Sequence, residues 1–346
     1  MSDDTIRIGI VGAGNNTRVR HIPGFKALPG VELVSVCNRS RESSERVAKE
    51  FGIPKVYDNW VELINADDTN AICIGTWPYL HCTLTLAALE AGKHVITEAR
   101  MAMNAQEAHQ MLAAARRKPH LVTQIVPSPF TFKVDRTVRE LLADGYLGDL
   151  LGIDLRSTTD TFVDKSSPLH WRQDRDLSGY NILNMGIWYE ALMRWLGPAT
   201  KVMAMTKVSV NHRFDADGAP QSVTVPDHVD ILCQMACGAQ AHLAFSVVTG
   251  LAPSGEIWLF GSEGTLHYDQ KTQSLSGGRR GEKTLQPLTI PADKQGQWRV
   301  EEEFVNAIRG KEKVTHTSFE DGVKYMEFTE AVTRSAQTGQ AVSLPL

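Results

Sequence analysis

The opening segment Ile6-Arg7-Ile8-Gly9-Ile10-Val11-Gly12-Ala13-Gly14-Asn15-Asn16-Thr17 constrains the fold more than any other stretch. Its β-branched residues, Ile6, Ile8, Ile10 and Val11, predict a buried strand. The strand runs into Gly12 and Gly14, and residues 18–28 have a helical composition. Strand, glycine turn and helix start together make an anion site. The glycines admit backbone close to a pyrophosphate, and the helix's unpaired N–H groups favour negative charge. Thr17 stands where a G-x-G-x-x-G fingerprint has its third glycine, so the motif alone also fits a tight turn with no ligand.

The segments after the turn decide between these two possibilities. Residues 31–37 predict a second strand, 42–51 a surface helix, 60–65 a short helix and 71–75 a buried strand. The loop 76–81 then leads into an alanine- and leucine-rich helix over 82–91. A strand over 93–97, a helix at 105–118 capped by Asn104, and a strand over 121–126 complete the series. Strands alternating with helices predict a parallel, doubly wound sheet, an α/β Rossmann arrangement over residues 1–126. In such a fold the end of the second strand meets the adenosine ribose, and an acid there would hold the 2′-OH of NAD. This chain has Asn38-Arg39-Ser40-Arg41 instead, whose donors and positive charge suit a 2′-phosphate and favour NADP over NAD.

After Pro127-Ser128-Pro129 the pattern changes. A helix at 133–144 leads to a strand over 150–162, and further strands are predicted at 201–210, 228–236, 239–248 and 256–268. Short turns between them, such as Cys237-Gly238-Ala239, predict a mostly antiparallel open sheet in an α/β domain over residues 127–346. Helices over 299–308 and 319–337 close the chain, and the polar stretch 270–283 reads as a loop.

Composition narrows the function classes. A net charge of −4 with no dense basic stretch argues against nucleic acid or an anionic membrane surface as partner. No apolar run approaches the roughly 20 residues of a membrane span. The first strand begins too early for a signal peptide, and five scattered cysteines, an odd number, predict reduced thiols and a cytoplasmic protein. Cys233 and Cys237 read as two small hydrophobes, and no histidine pair has ligand spacing, so no metal site is expected.

These residues resemble the Gfo/Idh/MocA oxidoreductases, which include glucose–fructose oxidoreductase and inositol dehydrogenase. The likeness rests on Gly12-Ala13-Gly14, Thr76 to His81, Ala88-Leu89-Glu90-Ala91-Gly92-Lys93-His94-Val95, Trp171-Arg172, Phe260-Gly261-Ser262-Glu263-Gly264-Thr265-Leu266 and the Phe304 to Gly310 helix end. It implies a Rossmann domain that binds NAD or NADP. It also implies a second domain whose open sheet makes homodimers or homotetramers, and a sugar, cyclitol or polyol as substrate. The cofactor positions so implied are Gly12, Gly14, Asn15, Asn16, Thr17, Asn38, Arg39, Ser40, Thr76, Trp77, Pro78, His81 and Glu98.

The catalytic signatures of that family are altered. Where its members read Glu-Lys-Pro, this chain has Glu98-Ala99-Arg100, and a guanidinium cannot accept a proton in place of the lysine. The second signature, Asp-x-Gly-x-His-x-x-Asp, aligns with Asn184-Met185-Gly186-Ile187-Trp188-Tyr189-Glu190-Ala191. Neither Asn184 nor Trp188 has a pKa that suits general acid–base work. A scaffold kept while four functional positions change points to a repurposed pocket. Tyr180, His170 and Glu190 are then the catalytic candidates, with Arg100, Trp171, Arg172, Asn184 and Trp188 as substrate-binding candidates. The expected function is an NAD(P)-dependent oxidoreductase of a sugar-like substrate with a non-standard acid–base set. Two alternatives remain at this level. One is a redox-neutral glycoside hydrolase or lyase using pairs among Asp164, Asp174, Asp176 and Glu190, and the other is a non-catalytic NADP- or sugar-binding regulator.

Overall fold

The computed structural model describes residues 5–346, which divide into two units. The first comprises residues up to Pro127 together with Arg299–Val323, and the second comprises Ser128–Trp298 and Lys324–Leu346.

In the first unit, strands β1 (Ile6–Val11), β2 (Val31–Cys37), β3 (Lys55–Val56), β4 (Ala71–Ile74), β5 (His94–Thr97) and β6 (Thr123–Ile125) form one parallel sheet in the order β3-β2-β1-β4-β5-β6. Helices α1 (Ile22–Lys26), α2 (Arg41–Phe51), α3 (Trp60–Asn65), α4 (Pro78–Glu90) and α5 (Ala105–Arg117) make the crossovers. The strands carry continuous apolar runs because both faces of a parallel sheet are covered, and β4 is buried at every residue. Ser40, Asn59 and Asn104 cap α2, α3 and α5 by accepting backbone N–H bonds from Ser43, Glu62 and Glu107. Helix α4 starts at Pro78, four residues before the sequence expectation, because proline needs no N–H partner at the first turn. A π-helical turn over Thr17–His21 precedes α1, so the first helix is irregular where the third fingerprint glycine is missing.

The second unit opens with α6 (Phe132–Ala143), β7 (Leu150–Ser157), α7 (Arg175–Ser178) and α8 (Met185–Leu196). It continues through β8 (Ala199–Lys207), a separate hairpin β9 (His212–Phe214) and β10 (Pro220–Ser222), and then β11 (His228–Met235) and β12 (Gln240–Ser246). Beyond these come β13 (Gly255–Gly261), β14 (Gly264–Asp269), β15 (Ser274–Arg279) and β16 (Gln286–Leu288). Helix α9 (Val300–Ile308) returns to the first unit, α10 (Phe319–Thr338) leaves it after Val323, and β17 (Val342–Ser343) ends the large sheet. That nine-stranded sheet has the order β16-β15-β14-β13-β7-β12-β11-β8-β17 and is antiparallel except where β12 pairs with β7.

Strict alternation marks the sheet as covered on one side only. In β11, Val229, Ile231, Cys233 and Met235 are buried, while Leu232 between them is exposed. Three expectations change here. The strand from Leu150 ends at Ser157, not at 162, and the stretch 256–268 breaks into two strands at Ser262-Glu263. The 270–283 stretch contains strand β15, whose Leu275 is buried although its neighbours are small and polar. All five thiols are free; Cys233 is buried and Cys237 exposed.

Candidate active site

In the first unit a cleft of about 600 Å³ opens over the carboxyl end of β1 and its neighbours. Gly12, Gly14, Asn38, Arg39, Ser40, Thr76 and Trp77 line it, as expected for the adenosine and phosphate side of a dinucleotide. Sequence reasoning missed Arg46, Asp58, Asn59, Trp60, Tyr79 and Leu80, which also line it. Asn59 caps α3, and its place on the cleft depends on β3 lying beside β2.

The glycine turn is built for close approach. Gly12 has φ +84°, and a Cβ there would lie 2.7 Å from the Thr76 methyl and 2.8 Å from the Thr76 nitrogen. The Gly12 N–H donates to the Cys37 carbonyl at 2.8 Å, and the Ala13 N–H donates to Asn38 Oδ1 at 2.7 Å. The Asn38 amide nitrogen in turn donates to Ser43. Asn38 thus clamps the glycine turn to the end of β2, and its amide is occupied by protein. Arg39 is exposed, 6.0 Å from the Trp77 ring centre, and has no carboxylate partner among the described residues. Among the described residues the one acid lining this cleft, Asp58, is paired with Arg41 at 2.5 Å. The residues present fit a dinucleotide: a cradle that any Cβ would fill, a helix start beside it and an unpaired guanidinium on the rim.

The remaining cofactor candidates are placed differently. Asn15 is exposed at the first helical position and does not line the cleft. Thr17 is 1% exposed, packs beneath the turn and donates to the Gly12 carbonyl at 3.4 Å. Pro78 is buried at the start of α4. His81 is fully buried between the Arg100 carbonyl, 2.7 Å from Nδ1, and the Thr76 carbonyl, 3.0 Å from Nε2. Burial pushes this imidazole below its usual value, so His81 serves as a neutral brace whose single N–H can donate to only one of the two carbonyls.

Asn16 and Glu98 form part of a cluster that spacing along the chain did not reveal. Asn16 Nδ2 donates to Glu98 Oε1 at 2.6 Å. His21, fully buried, points Nε2 at the same oxygen (3.1 Å) and Nδ1 at Glu301 Oε1 on α9 (2.5 Å). Burial works against the imidazolium, yet hydrogen bonds and charge from Glu301 and Glu98 outweigh it and raise His21 to about 9. The same contacts hold the Glu98 carboxyl below its usual value despite its burial.

The second unit gathers the other candidates around α7 and α8. His170 Nδ1 accepts the Arg172 N–H at 3.2 Å and caps the short helix at Trp171–Gln173. The Arg172 guanidinium stacks on Trp171, 4.2 Å from its ring centre. Tyr180 is half-buried beside Arg175, 5.7 Å from the guanidinium, and among the described residues its hydroxyl has no hydrogen-bond partner. Asn184 donates to Ser157 Oγ at 2.9 Å, joining the start of α8 to the end of β7. Between Tyr180 and Asn184, Leu183 has φ +46°, a left-handed conformation costly for a branched residue.

Two candidates sit apart from this arrangement. Trp188, 1% exposed, packs 4.7 Å from Phe130 and against Gly255 in the core, where it offers no open face to a sugar. Glu190 is 5% exposed, bonds both carboxylate oxygens to Arg194 at 2.8–2.9 Å and accepts the Ser128 N–H. A carboxylate so engaged is a structural partner of its arginine. Arg100, in the first unit, is 3% exposed and buried below the surface. Among the described residues no cluster could hold a metal ion, and no helix is long and apolar enough to cross a membrane.

Comparison with known proteins agrees with this geometry. Residues 6–125 match the model of an oxidoreductase family with an NAD-binding Rossmann fold, and residues 136–267 match the GFO/IDH/MocA C-terminal domain. A 1,5-anhydro-D-fructose reductase of Ensifer adhaerens is 29% identical, with 98% of each chain covered. A dTDP-3,4-didehydro-2,6-dideoxy-alpha-D-glucose 3-reductase of Saccharopolyspora spinosa is 27% identical over 77% of this chain and 75% of its own. In fold, the chain is similar to a levoglucosan dehydrogenase solved with NADH and L-sorbose, with a TM-score of 0.87, 20% identity and 99% of each chain covered.

Proposed function

The chain belongs to the Gfo/Idh/MocA oxidoreductase family, and from that premise we propose that it is an NADP-preferring oxidoreductase of a sugar- or polyol-like substrate. A bound nicotinamide would supply the hydride. The chain supplies binding, orientation and a proton.

Arg39 carries the cofactor reading. It stands on the cleft rim without a carboxylate partner among the described residues, next to an Asn38 whose amide already serves the glycine turn. No acid follows β2 to hold a ribose 2′-OH and repel a 2′-phosphate. Arg46, also on the cleft, is paired with Glu42 at 2.5 Å, so the Arg39 guanidinium is the cation on the cleft without a carboxylate partner among the described residues. Arg39→Ala is therefore expected to weaken NADP binding by about tenfold or more, the value of a charge-assisted bond, and NAD binding by less than about twofold. Titration of each cofactor against both proteins reads this, and equal weakening of both overturns the preference for NADP.

Tyr180 is the proton carrier in this reading. Its hydroxyl is unengaged by the described residues, and its ring lies 5.7 Å from the half-buried Arg175 guanidinium. Leu183, between Tyr180 and Asn184 in the chain, has φ +46°, and such strain is a mark of functional loops. The substrate class rests on the sugar-acting relatives. Tyr180→Phe is expected to lower kcat/KM by roughly 10²–10⁴-fold while leaving cofactor affinity unchanged. Unchanged turnover removes Tyr180 from the mechanism.

A further inference from the structure

Glu98 follows β5 at the carboxyl end of the first unit's sheet, and its backbone N–H donates to the Ile74 carbonyl at 2.9 Å. The strand order reverses beside β1, and a dinucleotide in such a sheet places one half on each side of that point. The cleft with Asn38 and Arg39 is on the β2 side. The β4–β5 side, where Glu98 stands, is left for the nicotinamide half.

The bonding of Glu98 is lopsided. Its Oε1 takes both Asn16 and His21, whereas Oε2 takes no donor among the described residues, and the side chain keeps 15% exposure. Behind it, both ring nitrogens of His21 face carboxylate oxygens, at 2.5 and 3.1 Å, with Asn16 Nδ2 farther off at 3.3 Å from Nε2; both nitrogens can donate to the carboxylates only if the ring is an imidazolium. Glu301 comes close enough that a Cβ on Gly24 would lie 2.8 Å from three of its side-chain atoms. The helix segment is shaped to admit it.

Resting on the reading of the cleft as a dinucleotide site, we propose that His21 and Glu301 are positioning residues that hold Glu98 ionised, with Oε2 free to accept a hydroxyl of the nicotinamide ribose. A carboxylate this buried would otherwise take up a proton and lose its strength as an acceptor. Glu301 secures the charge on His21, and His21 secures the charge and the direction of Glu98. The other titratable neighbours, His81 on α4 and Cys73 on β4, stay neutral, since burial pushes the imidazole down and the thiol up.

Glu301→Gln tests the proposal, because it keeps the shape and removes the charge. In the wild-type protein, nitrogen NMR should find both His21 ring nitrogens protonated up to about pH 8, and the Kd of NAD, which lacks the titrating 2′-phosphate of NADP, should be flat from about pH 6 to 8. In Glu301→Gln, His21 should lose its proton within that interval, and the Kd of NAD should rise several-fold with it. Glu98→Gln should weaken both cofactors by about tenfold at every pH. A neutral His21 in the wild-type protein at about pH 7.5, or a Glu301→Gln profile as flat as the wild type, overturns the proposal. If Glu301→Gln does not fold, the wild-type spectrum and Glu98→Gln decide. Failure of the underlying reading looks different: the wild-type protein would bind neither cofactor.

Discussion

Raising the pH from 6.5 to about 9 is expected to remove on the order of 3 kcal/mol of folding stability through His21 alone. The folded state holds this proton more tightly than the unfolded chain, whose imidazole titrates near its ordinary 6.5. The stabilisation is therefore complete below pH 6.5 and is lost as the pH rises through the folded value. Urea unfolding of the wild-type protein and of His21→Gln across that range isolates the effect, because the glutamine has no proton to lose. Parallel losses in the two proteins would mean that His21 is not held charged. At neutral pH, His21→Ala is expected to cost about 3–5 kcal/mol, since it leaves Glu98 and Glu301 buried without their counter-charge.

Gly75→Ala is expected to be the most damaging single-methyl change in the cofactor cleft. A Cβ at Gly75 would sit 2.1 Å from both the Gly12 carbonyl oxygen and Thr17 Oγ1. The first is backbone and cannot rotate away, so the glycine turn itself must move. The cost should be about 1–3 kcal/mol in stability, or more, together with a loss of cofactor affinity of about tenfold or greater. Gly92→Ala is the control. Gly92 has the positive φ that Gly75 lacks, +74°, but nothing lies within 4 Å of its Cβ position. It should lose stability through backbone strain and leave affinity untouched. Thermal unfolding and cofactor titration of the two variants separate strain from steric displacement. Affinity in Gly75→Ala within about twofold of wild type would refute the close-approach account.

Thr17 shows why Gly75 carries this burden. The sequence departs from the fingerprint at Thr17, where a glycine would let helix and strand pack closely. The structure keeps the close packing by having no side chain on the facing partner, Gly75, and by admitting a π-helical turn after the loop. The motif survives as geometry while one of its letters has moved. Asn38 is a similar case. Read from its place after β2, it is a donor for the ribose, yet a short amide at a strand end finds backbone first, and here that backbone is the glycine turn.

In the second unit the candidates divide by depth. Tyr180 and Asn184 lie half-buried in the connection between α7 and α8, on either side of the strained Leu183. Trp188 and Glu190 lie within α8, most of which is buried. An apolar helix in the middle of a domain takes aromatic and paired charged residues into its packing, so the position of the family's histidine is here filled by core. Glu190 and Arg194 stand four residues apart and were legible as a pair. That the pair also gathers Ser128, Thr131 and Asp135 was not.

Local rules sufficed for the parallel sheet, the glycine turn and the cap at Asn104, because a period of apolar residues, a positive φ and a helix's first N–H groups are satisfied within a few residues of chain. Residue types at the end of β2 were enough to raise Arg39. The partner of a buried charge obeys no such rule. His21 meets Glu301 across 280 residues because α9 returns to the first unit, and no spacing in the sequence announces it. The opening glycine turn was thus written into the chain from the start. Whether Glu98 beside it is an isolated acid or an ionised, directed acceptor was decided only when the tertiary fold brought two carboxylates to either side of one imidazole and removed the water that would have screened them.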